Sequence, residues 1–251
     1  MDNTQRFSNR VDNYVKYRPG YPKEVLQILA EETGYGPGKV VADIGSGTGI
    51  STALFLENGN KVYAVEPNRP MRKKAEELLA EYPGFVSVDG TAEQTGLDPA
   101  SVDLVVAGQA FHWFEPVATG VEFRRITRPG AFIVLMWNER QVVSDFEKAY
   151  EALLLEYGTD YATVDHRNIS EEKIGAFFLP EPFRLRVADN AQAFDWERLK
   201  GRLLSSSYIP VEEGATYERM MNSLRGIFEK YQRDGGVRFD YETKLYIGRA
   251  H

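Results

Sequence analysis

The chain contains no cysteine, which excludes disulfides, thiol nucleophiles and thiolate metal sites together. Histidine is almost as scarce: His112, His166 and His251 form no metal-ligand spacing, so no metal is expected, and the terminal His251 is assigned no role. No apolar run approaches the roughly 20 residues that span a bilayer, and no charged leader precedes an apolar stretch, so the cytoplasm is the expected compartment. Basic charge is also in deficit. Against 37 Asp and Glu stand 30 Lys and Arg, a formal net charge of −7 with no basic block. A protein that tracks nucleic-acid phosphates or an anionic membrane is therefore not expected; the expected partner is a small-molecule substrate, and the chain is expected as a monomer or homodimer.

What is present suits a globular enzyme. With 251 residues and 43% hydrophobic content the chain can bury a full core, and doubly wound folds of this length are commonly single domains. The most informative stretch is KVVADIGSGTG, residues 39–49. Lys39 through Ile44 carry the β-branched and apolar residues of a strand covered on both faces, as in parallel sheets. Gly45, Gly47 and Gly49 follow, alternating with Ser46 and Thr48. Such a turn bends sharply, lies against a ligand with no side chain between, and exposes the N–H groups of a helix whose apolar face is Ile50, Ala53, Leu54 and Leu56. Asp43 stands two residues before the first glycine, at the carboxyl end of the strand, where open α/β sheets hold their ligands.

Spacing separates the possible cofactors. A dinucleotide fingerprint, GxGxxG, needs its third glycine where this chain has Ile50, so a nicotinamide oxidoreductase is a poor match. The one Tyr-xxx-Lys pair, Tyr35 and Lys39, precedes the first strand, and no GxxxxGK phosphate loop occurs. A second strand, Lys61 to Val65, ends in Glu66, 21 positions after Gly45. A carboxylate there can accept hydrogen bonds from both ribose hydroxyls and repels a 2′-phosphate. Pro67 stops the strand, Asn68 is a plausible N-cap, and Met71, Ala75, Leu78, Leu79 and Tyr82 fall at helical spacing.

From here the chain resembles class I S-adenosylmethionine-dependent methyltransferases, in particular the methyltransferase type 11, trans-aconitate methyltransferase-like small-molecule branch. The resemblance is carried by DIGSGTG and VEPN, then in order by FVSVDGTAEQTGL, SVDLVVAGQAFHWF and EFRRITRPGAFIVLMW. Ala131 departs from it, standing where the family usually has a second glycine after the Pro-Gly pair. The resemblance implies an α/β, Rossmann-like, doubly wound seven-stranded sheet, mostly parallel, with an antiparallel edge strand and a helical cap. Further strands are expected at Phe85 to Asp89, Val102 to Gly108, Ala131 to Trp137, Phe183 to Val187 and the terminal KLYIGRA. The single domain divides into an N-terminal lid and helix (1–38), a cofactor-binding core (39–137), a helical cap insertion overhanging the pocket (138–182), and C-terminal strands and helices (183–251). A helix from Tyr217 to Tyr231 carries a methionine stripe read as packing.

S-adenosylmethionine is the cofactor the resemblance implies. Its expected contacts are Asp43, Gly45, Ser46, Gly47, Thr48, Gly49, Glu66, Pro67 and Met71, with Thr91, Ala92 and Glu93 at the adenine. Gln109, Ala110 and Phe111 are expected to border the sulfonium through their carbonyls, and Tyr14 and Arg18 match the closing N-terminal segment. Arg18 reads equally as a solvated arm, and Glu93 as a solvated loop acid. Methyl transfer from a sulfonium is an in-line displacement that is mostly orientation and exclusion of water, with a base required only for a protonated nucleophile. His112 can be that base, or a wall of the substrate pocket, or a packed structural histidine. Trp113 and Arg140 are assigned with it to the substrate. A carboxylate acceptor, to which the resemblance points, would need no base and would be held by Arg18 or Arg140. Arg124, Arg125 and Arg128 are read as solvent-facing complements to a helix C-terminus. Two other readings stand beside this one: the nicotinamide oxidoreductase, and a non-catalytic S-adenosylmethionine-binding protein.

Overall fold

A computed structural model describes residues 17–159, 161, 171–206, 208–210 and 214–250. Strands β1 (Val40–Ile44), β2 (Lys61–Val65), β3 (Phe85–Val88), β4 (Val102–Gly108), β5 (Thr127–Arg140), β6 (Arg184–Phe194) and β7 (Val237–Arg249) form one sheet in the order β3-β2-β1-β4-β5-β7-β6. The first five are mutually parallel, while β7 is antiparallel to both β5 and β6 and lies one position in from the edge. Strand order reverses between β1 and β4, which opens a crevice at their carboxyl ends.

Helices cover both faces. Against one pack α1 (Glu24–Thr33), α2 (Ile50–Glu57) and α3 (Arg69–Leu79), whose Val25, Leu29, Phe55 and Leu79 meet Val41, Leu104, Val106, Val134 and Met136 of the strands. Asn68 caps α3 by accepting from Met71 N at 3.0 Å, and Met71, Ala75 and Leu79 face inward, whereas Leu78 is exposed. The other face takes α4 (Pro116–Ile126) and α6 (Glu171–Phe178), with Phe123, Phe177 and Phe178 on Ala107, Leu135 and Trp137. Of the arginines read as solvated complements, Arg125 forks onto Glu122 and the Leu97 carbonyl, Arg128 pairs with Asp103, and Arg124 reaches the Leu179 carbonyl. Arg124 and Arg125 do stand in the last turn of α4, with Arg125 exposed, and all three arginines also hold specific oxygen partners.

A third apolar cluster joins α5 (Asp145–Tyr157), α7 (Trp196–Leu204) and α8 (Ala215–Tyr231) to Phe194, Val237, Phe239 and Tyr241. It stands on lengths of β6 and β7 beyond the boundaries expected, since β6 continues to Phe194 and β7 starts at Val237. The alternation Val237, Phe239, Tyr241, Thr243, Leu245 is the two-residue period of a strand, and beyond it β7 is buried on both faces from Leu245 to Gly248. The expected division of the cap therefore changes. Helix α6 belongs to the sheet face, and the unit beside the carboxyl ends comprises α5 with α7 and α8 from the C-terminal region. The methionine-bearing helix packs as expected, with Met220, Leu224 and Phe228 buried, but in this unit. β5 also begins earlier than expected, at Thr127, with the Pro-Gly pair absorbed where the register to β4 shifts between Val102 and Leu104.

Candidate functional site

The glycine turn caps β1 at the switch point. Gly45, Gly47 and Gly49 have φ of +68°, +58° and +87°, a region open to glycine and costly for other residues. Two of them are also packed: a Cβ on Gly45 would lie 2.7 Å from the Ala110 methyl, and one on Gly49 2.6 Å from Leu79 Cδ1. The turn's own amides are engaged within the protein. Gly45 N and Ser46 N donate to the Val65 carbonyl at 2.9 and 3.2 Å, and Gly47 N donates to Glu66 Oε2 at 2.8 Å. These three donors pin the turn to β2, so the turn offers a close approach of backbone more than a row of N–H groups.

Glu66 closes that connection. Its Oε1 accepts from Asn68 N at 2.7 Å, so each carboxylate oxygen already takes one main-chain donor and keeps a second acceptor direction. Burial raises its pKa, opposed by the Asn68 and Gly47 amides and by the charge of Arg72. Arg72 spans Glu66 O and Asp89 Oδ2 at 2.6 and 2.7 Å, fixing β2 to the loop after β3. Met71 lies under the turn, 3.8 Å from where a Gly47 Cβ would be, and Pro67 is half-buried beside Glu66.

Asp43 is fully buried, and Ser51 and Thr52 both donate to its Oδ2, at 2.7 and 2.6 Å. Burial pushes its pKa up to about 6, with the Thr52 and Ser51 hydroxyl bonds opposing. Because the folded value lies above the unfolded 3.8, the stability this group contributes is full below that value and disappears as pH rises through about 6. The swing is on the order of 3 kcal/mol. Asp43→Asn is accordingly expected to melt above the wild type at pH 8 and to flatten the stability loss between acid and neutral pH. A variant that melts below the wild type at pH 8 with the slope unchanged would refute the assignment.

Two loops complete the crevice. After β3, Thr91 is exposed, Ala92 is buried in the core, and Glu93 Oε1 accepts from Glu115 N at 2.9 Å, fastening the start of α4. Glu93 thus anchors the start of α4 through one carboxylate oxygen while remaining partly exposed. After β4, Gln109 adopts φ +57°, a conformation costing about 1–2 kcal/mol for a residue with a side chain, and its Nε2 donates to Asn138 O at 3.1 Å. A 3₁₀ turn over Phe111–Trp113 then engages two of the three carbonyls expected at the sulfonium, since Trp113 N bonds Ala110 O and Phe114 N bonds Phe111 O. The Phe111 ring packs 4.7 Å from Phe177 in the core, whereas the Ala110 methyl lies against the glycine turn. His112 and Trp113 are half-buried with ring centroids 4.6 Å apart.

The N-terminal segment crosses this crevice. The Tyr21 hydroxyl lies against Gly108 at the end of β4, Gly20 O accepts from Asn138 and Asn190 at 3.1 and 2.8 Å, and Arg18 O accepts from Gln192 at 3.3 Å. Tyr17 is buried with its ring tight against Gly201 of α7. Arg18 is half-buried, which sets aside the fully solvated arm; Tyr14 lies outside the described residues. Arg140 ends β5 with its guanidinium over the Tyr150 and Phe239 rings at 5.3 and 5.6 Å. It pairs with Glu151, which also accepts from Tyr161 at 2.8 Å, so the cation expected for a substrate is neutralised within the protein. Sequence reading passed over Arg202 of α7, which is buried beside Tyr150, Tyr208 and Tyr241.

The residues around the turn fit an adenosyl ligand with a charged tail. Asp43 Oδ1, Ser46 Oγ and Thr48 Oγ1 are buried and have no hydrogen-bond partner among the described residues, although buried polar atoms are rarely left so. The comparisons agree. The methyltransferase-domain family matches residues 42–135, from the end of β1 into β5. An uncharacterized methyltransferase of Geobacillus sp. strain WCH70 is 32% identical over 157 residues, 58% of this chain and 71% of the relative. One from Mycobacterium tuberculosis is 37% identical over 139 residues, 55% of this chain and 54% of the relative, so the chain matches about half the length of such relatives. Among solved structures, a candidate type II methyltransferase from Anaeromyxobacter dehalogenans is 22% identical at TM-score 0.65, covering 93% of this chain and 98% of that one, a likeness of fold. With the crevice, the turn and these relatives in agreement, the chain belongs to the class I S-adenosylmethionine-dependent methyltransferases.

Proposed function

We propose that the protein transfers a methyl group from S-adenosylmethionine to a small-molecule acceptor held between the crevice and the α5–α7–α8 unit, with a carboxylate as the acceptor class. The observation that carries the reading is the trio of buried, unpaired polar atoms on Asp43, Ser46 and Thr48 at a glycine turn on the switch point. S-adenosylmethionine supplies an electrophilic methyl on a positively charged sulfur. Glu66 has the acceptor capacity for ribose hydroxyls, the Gly45–Gly49 turn admits the amino-acid portion, and Thr91 with Ala92 borders the base. Gln109 and Ala110 wall the reacting side, and the segment from Tyr17 to Tyr21 excludes water from it. A carboxylate nucleophile arrives ionised, so the chain has only to orient it. We place this activity in the cytoplasm, in a monomer or homodimer; among the described residues no helix is long and apolar enough to cross a membrane.

Isothermal titration with S-adenosylhomocysteine tests the cofactor half, and micromolar or tighter binding is expected. The acceptor half is tested by following S-adenosylhomocysteine release across a panel of small mono-, di- and tricarboxylates and their amide and alcohol counterparts. His112→Ala is expected to keep its rate with a carboxylate to within about threefold, because no proton has to be removed. A loss beyond about 100-fold in kcat with unchanged cofactor affinity would assign His112 as a general base and turn the acceptor class toward protonated nucleophiles.

A further inference from the structure

Beyond the turn and its neighbours, one side chain stands out electrostatically. Arg202 is 8% exposed, and its Nε is buried with no hydrogen-bond partner among the described residues. Nη1 has one long contact, 3.4 Å to Ser206 Oγ, and the guanidinium also donates to the Tyr241 phenol, which passes its own proton 3.3 Å to Gln192 Oε1. Among the described residues no carboxylate pairs with it, and its polar surroundings are the phenols of Tyr241, Tyr150 and Tyr208. An isolated buried cation is expensive, and proteins ordinarily pair it. The neighbouring Arg140 is so paired, through Glu151. Among the described residues, this corner of the third cluster therefore holds one uncompensated positive charge with an unsatisfied donor edge.

Its position is also informative. Tyr241 is the register partner of Arg140 across β5 and β7 and of Asn190 across β7 and β6, beyond the point where β4 ends opposite Met136. Asn138, two residues before Arg140, bonds both Gln109 of the crevice loop and Gly20 of the crossing segment. Tyr17 seats on Gly201, the residue before Arg202. Polar contacts thus run from the crevice loop through Asn138 to the crossing segment, and from Arg18 O of that segment through Gln192 and Tyr241 to the guanidinium.

We propose that Arg202, with the phenols of Tyr150, Tyr208 and Tyr241, is the anchor for a carboxylate group of the methyl acceptor. The planar Nε/Nη edge of arginine matches a carboxylate bidentately. One net positive charge balances a carboxylate monoanion, whereas a phosphate dianion would leave a negative charge buried. The identity of the ligand as methyl acceptor rests on the methyltransferase reading; the anion site itself does not. Thermal melting is measured with and without S-adenosylhomocysteine, against tricarballylate, succinate, inorganic phosphate and sulfate, for wild type, Arg202→Gln, Arg202→Met and Tyr241→Phe. Carboxylates are expected to raise the wild-type Tm, phosphate and sulfate to do so less, and both Arg202 variants to weaken carboxylate binding by at least about tenfold. Arg202→Met, freed of a lone buried cation, is expected to melt at or above the ligand-free wild type, which a merely structural arginine would not allow. Tyr241→Phe keeps the cation should the Arg202 variants fold poorly, and is expected to weaken carboxylate binding severalfold. A wild type unmoved by any carboxylate, phosphate preferred to carboxylate, or variants that bind carboxylate as the wild type does would overturn the assignment. Failure of S-adenosylhomocysteine to bind with the carboxylate response intact would remove the methyltransferase reading alone.

Discussion

Replacing Gly45 by alanine is expected to abolish measurable S-adenosylhomocysteine binding and to lower stability by about 3 kcal/mol. Two costs coincide at this position. The backbone sits at φ +68°, where a Cβ is strained, and the added methyl would lie 2.7 Å from the Ala110 Cβ with the Phe114 ring at 3.2 Å. Neither neighbour yields easily, since Ala110 begins the 3₁₀ turn and Phe114 packs edge-on against Phe111 and Phe123. The chain must then withdraw the turn from the β4 loop, and in doing so it loosens the Gly45 and Ser46 amides from Val65. Gly47→Ala provides the internal comparison, because its φ is +58° but its nearest neighbour, Met71 Cε, stands 3.8 Å away. Chemical denaturation and titration calorimetry on the pair separate strain from collision. Equal losses in the two variants would show that the Ala110 contact contributes nothing.

Glu66→Gln is the second large effect, expected to weaken S-adenosylhomocysteine about 100-fold while moving the melting temperature only slightly. Both carboxylate oxygens accept main-chain N–H groups, from Gly47 and Asn68, so an amide must turn its NH₂ toward one of those donors. That leaves a buried amide unsatisfied and tilts either the glycine turn or the cap of α3. Stability changes less, because the substitution also removes a carboxylate whose pKa burial raises above the ordinary range. Affinity carries both the displaced turn and the lost acceptor for ribose hydroxyls. A Glu66→Gln protein that binds within threefold of the wild type would sever the carboxylate from the ligand.

Much of the cofactor half could be read directly from the chain, because the features involved are local. Positive φ demands glycine at Gly45, Gly47 and Gly49, and the runs Lys61–Val65 and Val102–Gly108 have strand periodicity with punctuation at both ends. What the turn's amides do was not local. Gly45, Ser46 and Gly47 spend them on Val65 and Glu66, partners about 20 residues on that a strand pairing brings into range. The same distinction explains Phe111, whose neighbours in sequence suggested a pocket rim but whose ring is claimed by Phe177 from a helix more than 60 residues later.

The cap was misdivided for a different reason. Long β6 carries so many outward polar residues that its expected end, Val187, falls seven positions short of Phe194, although its partner β7 alternates over its first half. Arg202 did leave a signal. In the helix WERLKGRLL, Leu199 and Leu203 mark the buried stripe, and Arg202 stands three after one and beside the other, within that stripe. A cation on the apolar side of an amphipathic helix is the pattern to search for when acceptor sites are sought in related chains.

β5 and β7 belong at once to the main core, through Met136 and Leu245, and to the cap, through Arg140 and Tyr241. The floor of the crevice and the α5–α7–α8 unit are consequently joined by the same two strands, and beside them runs the segment whose Gly20 carbonyl is clasped by Asn138 and Asn190. In the proposed reaction, opening of that clasp is expected to accompany departure of the spent nucleoside.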